Sequence, residues 1–283
     1  FAVKAVDKPQ TILLLQAFLG VIVITALFMA AAVSERDRVT NSLRRSEQRY
    51  KSLSEDLEQR VIQRTQELQE QQRQSEYLLL NILPQAIAEQ LKQRPNQTIA
   101  ETFDQVTVLF ADIVQFTEFA ATVPPQQLVS LLNQIISDFD RLTEIYGLEK
   151  IKTIGDEYMV VGGLPTPKAD QVQAMAHLAL AMQDVIQRHT RPDGRAFQLR
   201  IGIHCGNVVA GVIGVKKFAY DLWGDSVNLA SRLDTSSDPD TFQVSEAVDE
   251  KLSDRFLLKF RGEIDLKGKG FTRTYWLLGP QRS

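Results

Sequence analysis

Residues 11–33 form an unbroken apolar stretch without a charged side chain, and Gln16 is the only strongly polar residue in it. Inside a bilayer no water satisfies backbone N–H and C=O groups, so such a segment can cross a membrane only as a helix of about 20 residues. A signal peptide is the alternative, since Ala30–Ala32 would suit a cleavage site, but its apolar region is usually only about 7–15 residues long. The stretch therefore predicts a transmembrane helix that contacts the lipid bilayer.

The charges beside this stretch predict its orientation. Cytoplasmic flanks of membrane helices carry an excess of lysine and arginine, and more of these residues follow the stretch than precede it. The single cysteine, Cys205, cannot form an internal disulfide, which fits a reducing compartment. We therefore expect residues 1–33 to end a longer domain in the cell (inner) membrane, with the rest of the chain in the cytoplasm. The flanking cations are Lys4 and Lys8 before the stretch, and Arg36, Arg38, Arg44 and Arg45 after it.

The next segment, residues 34–77, has the composition of a long helix. It lacks proline and glycine and is dominated by Glu, Gln, Arg and Leu, which are strong helix formers. Its apolar residues follow a heptad spacing with polar interruptions, which predicts a parallel two-stranded coiled coil with an imperfect seam. A solvated single helix is the alternative. Such a seam can hold two packings of similar energy, as a signal relay requires. The apolar positions are Tyr50, Leu57, Val61, Leu68 and Leu78, and the interruptions are Ser54, Arg64, Gln71 and Ser75.

Residues 78–99 contain a shorter and more apolar helical segment, at 78–93, which includes Pro84. Proline removes a backbone donor, so the helix must kink or start again there. Beyond it, residues 100–283 alternate between patterns typical of strands and helices in the order strand, helix, hairpin, helix, strand, which predicts an α+β domain of ferredoxin-like topology. The expected elements are a strand at 106–114, a helix from Pro124, a hairpin turning at Gly155-Asp156, a helix at 171–189, a strand pair at 197–214, a helix from 225 and a final hairpin.

Two aspartates stand at the ends of apolar runs in this domain. Asp112 follows VTVLFA, and Asp156 lies in the turn of KIKTIGDEYMVVGG. A carboxylate at the end of a buried strand is costly unless it is solvated, paired or bound to a cation. Two such carboxylates beside tight turns predict a two-cation site for phosphoryl chemistry.

Charge and histidine content exclude other functions. The net charge is −3 and the pI is about 5.8, so no basic surface indicates nucleic-acid binding. The three histidines, His177, His189 and His204, lack metal-ligand spacing.

Three motifs, FADIVQFT at 110–117, EKIKTIGDEYMVVGG at 149–163 and FAYDLWGDSVNLASRLD at 218–234, resemble the class III nucleotidyl cyclases. The resemblance implies that Asp112, Asp156 and the backbone carbonyl of Ile113 bind two Mg²⁺ or Mn²⁺ per site. The turn after Asp112 leads into a helix, whose first N–H groups, at Phe116 and Thr117, are available to phosphates.

The resemblance also predicts which purine base the site recognises. Lys152 would donate to N1 of adenine, and Asp221 would accept from its 6-amino group, whereas guanine presents the opposite pattern. Guanylate cyclases of this family have Glu and Cys at the matching positions. The Lys152 and Asp221 pair therefore implies ATP as substrate, and 3′,5′-cyclic AMP and pyrophosphate as products.

The remaining site residues follow from the same resemblance. Asn228 would orient the ribose, and Arg232 would stabilise charge on the α-phosphate, for which a planar guanidinium is well suited. Lys267 matches the lysine that contacts the terminal phosphates, with Lys269 as the alternative.

In the family, the metal aspartates come from one protomer and the base-reading residues from the other, which implies a homodimer with shared sites. Residues 60–71 resemble the linker helices between bacterial membrane sensors and their output domains, and residues 78–93 resemble the transducer element that precedes many cyclase domains.

The sequence leaves two alternative functions open. IGDEY also resembles the GGDEF signature of diguanylate cyclases, and a non-catalytic nucleotide-binding receptor would share the fold.

Overall fold

A computed structural model describes residues 8–94, 98–214, 217–266 and 270–281. The chain divides into two compact units, with the boundary between Glu76 and Tyr77. Helix α1, Lys8–Leu80, is continuous. One stretch of it is long and apolar enough to cross a membrane, and the apolar side chains there are exposed. The division of this helix into a membrane segment and a coiled-coil segment stays a prediction.

The second unit contains six further helices and eight strands among its described residues. They are α2 (Gln85–Gln93), β1 (Ala100–Ile113), α3 (Phe116–Ala120), α4 (Pro125–Ile145), β2 (Glu149–Ile154), β3 (Glu157–Gly162), α5 (Gln171–Ile186), β4 (Leu199–Ile213), β5 (Ala219–Trp223), α6 (Asp225–Thr235), β6 (Thr241–Ser245), α7 (Glu246–Leu252), β7 (Phe256–Leu266) and β8 (Gly270–Pro280).

Pro84 interrupts the helical segment as its chemistry predicts. Helix α1 ends at Leu80, and α2 begins directly after Pro84, whose missing N–H is no loss at a helix start. Leu83, Ile87 and Ala88 are buried, so this connecting element is anchored in a core and is not a loose linker.

The strands form one mixed sheet in the order β2-β3-β1-β4-β6-β8-β7, with β5 paired to β4. The first four strands and helices α4 and α5 follow the predicted ferredoxin-like order. Strands β1 and β4 are antiparallel, and their register places Asp112 opposite Arg200.

Helices cover both faces of this sheet. One core packs β1, β3 and β4 against α4 and α5. The other packs alternate residues of the same strands against α2, β5 and α6. Because both faces are covered, β1 is buried at every position from Val106 to Ala111, which explains why Thr107 is the only polar residue in this part of the strand.

The strand pair expected at 197–214 is wrong, because β4 is a single long strand from Leu199 to Ile213. Gly202 and Gly206 in it allow close packing against α6 and do not form a turn. A Cβ atom on Gly202 would lie 2.2 Å from the backbone nitrogen of Asp234, and one on Gly206 would lie 2.4 Å from Ser226 Oγ. Glycine inside a strand marks such close approaches as often as it marks turns.

Candidate active site

Asp112 and Asp156 lie together at the ends of neighbouring strands. Asp112 is the penultimate residue of β1, and Asp156 occupies the tight turn between β2 and β3. Strand β1 pairs with β3, with Ala111 opposite Tyr158, which brings the two carboxyl groups together. Burial, then a hydrogen bond with Asp112 and its negative charge, raises the pKa of Asp156 to about 6.

The two carboxyl groups fit a divalent cation. When two carboxyl groups are in contact, repulsion between their negative charges makes one of them retain a proton. A bound cation offsets that repulsion. Oxygen donors are the ligands that Mg²⁺ and Mn²⁺ prefer. Within the described ranges, no cluster of three or more His, Cys, Asp or Glu side chains could hold a metal ion. The remaining ligands would therefore be the Ile113 carbonyl, water and substrate phosphate, as is usual for Mg²⁺.

Arg200 also belongs to this site, although the sequence reasoning missed it. Its Nε and Nη2 atoms donate to Asp112 Oδ2 at 3.0 and 2.5 Å. The contact follows from the β1–β4 register, which is a tertiary feature. The only sequence signal was a charged residue in the apolar run LRIGI. A guanidinium beside the two carboxyl groups provides positive charge that would attract an anionic ligand.

A third carboxyl group, Asp234 at the end of α6, is buried behind the pair and was also missed. It is only 1% exposed, and among the described residues its Oδ1 atom has no hydrogen-bond partner. Burial, followed by the negative charge of Asp112, raises the pKa of Asp234 to about 8. Asp234 therefore retains its proton at neutral pH and is not a third anion at the site.

The turn after Asp112 leads into the short helix α3. Gln115 has a left-handed conformation with a φ of 57°, and α3 begins at Phe116. The Phe116 ring is buried against Phe119, so only its backbone N–H could reach a ligand, whereas Thr117 is exposed. Arg191 Nη2 donates to the Val114 carbonyl at 2.7 Å and anchors this turn.

Lys152 and Asp221 contact each other although they are 69 positions apart in the chain. Lys152 Nζ donates to Asp221 Oδ2 at 2.5 Å, and Asp221 Oδ1 accepts from the Leu222 N–H at 2.8 Å. Both side chains are partly exposed, so the pair remains accessible to a ligand. In the described part of the chain, no hydrogen bond or ion pair joins this pair to Asp112 or Asp156.

Asn228 and Arg232 lie on α6, four residues apart and thus on one side of the helix. Asn228 is exposed and Arg232 is half-buried. Lys267 and its alternative Lys269 lie outside the described residues.

The chain matches the model of the adenylate and guanylate cyclase catalytic domain over residues 98–279. The match covers the strands and helices of the ferredoxin-like fold and every site residue named above. The chain therefore belongs to the class III nucleotidyl cyclases.

The similar proteins include both adenylate cyclases and guanylate cyclases. An adenylate cyclase of Mycobacterium tuberculosis is 48% identical over 205 residues, which are 72% of this chain and 46% of that protein. The guanylate cyclase domain of RhGC from Catenaria anguillulae, solved with GTP, superposes with a TM-score of 0.62 and 29% identity over 64% of this chain and 100% of that chain. The adenylyl cyclase CyaB from P. aeruginosa gives a TM-score of 0.61 and 26% identity over 65% and 97%. The chain thus spans less than half of the curated mycobacterial relative.

Proposed function

We propose that this protein is a membrane-anchored adenylate cyclase that converts ATP to 3′,5′-cyclic AMP and pyrophosphate at sites shared between two protomers. The observation that carries the choice of ATP is the contact between Lys152 and Asp221, a donor and an acceptor that match the N1 and 6-amino groups of adenine. The mycobacterial adenylate cyclase at 48% identity supports the same choice. The family match over residues 98–279 favours a class III cyclase over the diguanylate cyclase alternative.

In this proposal the ribose 3′-hydroxyl attacks the α-phosphorus, and pyrophosphate leaves. Asp112, Asp156 and the Ile113 carbonyl would hold two Mg²⁺ or Mn²⁺, which when bound lower the pKa of the hydroxyl and neutralise the triphosphate. Arg200 adds positive charge beside Asp112.

The remaining residues bind and orient the nucleotide. The Phe116 and Thr117 N–H groups and Lys267 bind phosphate oxygens, and Asn228 orients the ribose. Arg232 stabilises charge on the α-phosphate, because its planar guanidinium can donate two parallel hydrogen bonds.

The proposal includes an arrangement along the chain. Residues 11–33 cross the cell membrane, residues 34–77 form a dimeric coiled coil, and residues 78–99 pass the signal to a cytoplasmic catalytic domain at 100–283. Helix α1 contains a stretch apolar enough to cross a membrane, which supports a membrane-crossing segment at 11–33. Buried Leu83, Ile87 and Ala88 support direct contact of the transducer with the catalytic core.

Product analysis tests this proposal. The full chain, purified in detergent, is incubated with ATP or GTP and either Mg²⁺ or Mn²⁺, and the products are separated by chromatography. We expect cyclic AMP from ATP, and none from an Asp112→Ala variant with the same far-ultraviolet circular dichroism. Cyclic GMP or cyclic di-GMP as the main product would contradict the proposal, as would nucleotide binding without turnover.

A further inference from the structure

A polar cluster on the face of β2 opposite Lys152 fixes the strand that carries this residue. Lys150 Nζ lies 2.7 Å from Oδ1 and 2.9 Å from Oδ2 of Asp140 on α4. The Tyr158 hydroxyl donates to Asp140 Oδ1 at 2.8 Å, and the Lys150 ammonium lies 5.2 Å from the centre of the Tyr158 ring. Tyr158 is fully buried, so it holds the Asp140 carboxylate in one place. We refer to Lys150, Asp140 and Tyr158 as the lysine clamp.

A β-bulge separates the clamp from the base-reading residue. Lys150 is opposite Val160 and Lys152 is opposite Met159, so three residues of β2 span two residues of β3. Val160 packs in the core with α4 and α5, and Met159 packs in the other core. In a regular strand, two residues that are two positions apart share a face. Here the bulge directs Lys150 to α4 and Lys152 to Asp221 on β5.

Among the described strands, β2 lies at the edge of the sheet and pairs with β3 alone. A bulge in an edge strand has no second ladder to hold it, so its geometry depends on side-chain contacts. The clamp lies directly before this bulge, and Lys152 lies directly after it. Displacing the backbone at Lys150 would therefore move Lys152 Nζ away from the position where it meets the base.

We propose that Lys150, through its ion pair with Asp140, is a positioning residue that sets the purine preference by fixing the bulge from which Lys152 extends. This inference rests on the proposed role of Lys152 and Asp221 in reading adenine. Lys150 does not touch the nucleotide in this proposal. Its effect is specific to ATP, because only ATP uses the Lys152 donor.

The ratio of kcat/KM for ATP to kcat/KM for GTP tests the inference, measured with the full chain in detergent. Lys150→Met should lower kcat/KM for ATP roughly tenfold, since small displacements of positioning groups cost one to two orders of magnitude. The value for GTP should change less than about twofold. A fall in the folded fraction lowers both values equally, so the ratio reports position and not stability. Lys150→Arg keeps the ion pair and should restore the ratio.

Arg141→Met is the matched control. Arg141 follows Asp140 on the same helix, its side chain is exposed, and it pairs with Asp138 at 2.6 Å, away from β2. Arg141→Met removes one positive charge near the lysine clamp and should leave the ratio of kcat/KM for ATP to kcat/KM for GTP unchanged. An Arg141→Met variant that shifts the ratio as far as Lys150→Met would show a general charge effect and overturn the inference.

Binding measurements separate this inference from the proposed function. Dissociation constants for the α,β-methylene analogues of ATP and GTP give a selectivity that needs no turnover. A chain that makes no cyclic nucleotide contradicts the proposed function, yet its binding selectivity still tests the clamp. Equal loss of affinity for both analogues in Lys150→Met, or no loss for either, overturns the inference alone.

Discussion

At the scale of single residues, the site uses chemically similar groups in different environments. Asp112 is held by Arg200, and Asp156 shares a hydrogen bond with Asp112. Asp234 is buried, and one of its oxygens has no partner in the described part of the chain. The pKa is about 6 for Asp156 and about 8 for Asp234, in each case raised mainly by burial. Asp156 can therefore gain or lose a proton near neutral pH, while Asp234 stays neutral.

The purine preference should follow the Lys152 and Asp221 pair. In the Lys152→Glu, Asp221→Cys double variant, the donor and acceptor pattern is reversed, and unpaired polar groups then face adenine. A site built for one hydrogen-bond pattern loses about 1–3 kcal/mol for each buried group left unpaired. We expect kcat/KM for ATP to fall by at least tenfold relative to GTP. Unchanged discrimination in steady-state assays would show that these residues do not read the base.

The buried Asp234 carboxyl should make stability depend on pH. Its pKa is raised to about 8 in the folded chain from an ordinary value of 3.8, so the folded state holds a proton that the unfolded state releases between these values. The free energy of unfolding should therefore fall as the pH rises from 4 to 8, and fall no further from this cause above 8. Asp234→Asn should remove a decrease on the order of a few kcal/mol, since each tenfold change in proton affinity is worth about 1.4 kcal/mol.

Urea unfolding between pH 5 and pH 8.5, followed by tryptophan fluorescence, measures this effect. Both tryptophans, Trp223 and Trp276, lie in the catalytic unit and report on it. The exposed Asp254→Asn variant is the control for removing one carboxyl group. If Asp234→Asn and the parent lose stability in parallel over this range, Asp234 does not hold a proton in the folded state.

At the scale of secondary-structure elements, strand ends and interruptions position the chemistry. The β2–β3 turn places Asp156 beside the end of β1, and the bulge in β2 sends Lys150 and Lys152 to opposite faces of the sheet. Helix α6 packs closely on β4 only because Gly202 and Gly206 have no side chain. The positions of Asp156 and Lys152 therefore depend on irregular features of an otherwise regular sheet.

Helix α1 gives a test of signal transmission. It is continuous through Gln69, so one inserted residue rotates the part of the helix before the insertion by about 100° relative to the part after it. If the predicted coiled coil couples the membrane segment to the catalyst by rotation, insertions of one to seven residues after Gln69 should change cyclase activity periodically. Activities equal to that of the parent at every length, in matched membrane fractions, would exclude rotational coupling.

At the scale of the whole molecule, one chain carries two groups of site residues that no hydrogen bond or ion pair joins in its described part: Asp112 with Asp156, and Lys152 with Asp221. A two-fold dimer would bring the first group of one protomer to the second group of its partner, twice. The proposed activity is therefore a property of the pair of chains.

Mixing two inactive variants tests this arrangement. Asp112→Ala and Asn228→Ala chains should each be inactive alone, because every site then lacks one residue. In a mixed dimer, one site carries both changes and the other carries none. Random pairing of equal amounts makes half the dimers mixed and half of their sites intact, so activity should recover to about a quarter of the parent level. Proven chain exchange without recovered cyclic AMP would mean that each chain builds its own site.

Much of this protein could be read from its sequence because the signals are local. The apolar stretch at 11–33, the break at Pro84, the buried strand before Asp112 and the Gly155-Asp156 turn all depend on neighbours within a few residues. The family motifs are similarly short, and they indicated the class of enzyme and the Lys152 and Asp221 pair proposed to read the base. Propensity and periodicity are properties of such windows, so these predictions needed no tertiary information.

The tertiary structure decided the features that involve residues distant in the chain. Arg200 contacts Asp112 only because of the β1–β4 register, and Asp234 becomes buried only because α6 packs on β4. The sequence predicted a strand pair at 197–214, whereas the fold forms one long strand in which Gly202 and Gly206 allow close packing of α6. The ion pair between Lys150 and Asp140 depends on a β-bulge in β2, and nothing in the sequence EKIKTI predicts that bulge. Register, burial and bulges follow from how whole elements pack, because the free energy that selects them is summed over contacts between separate segments.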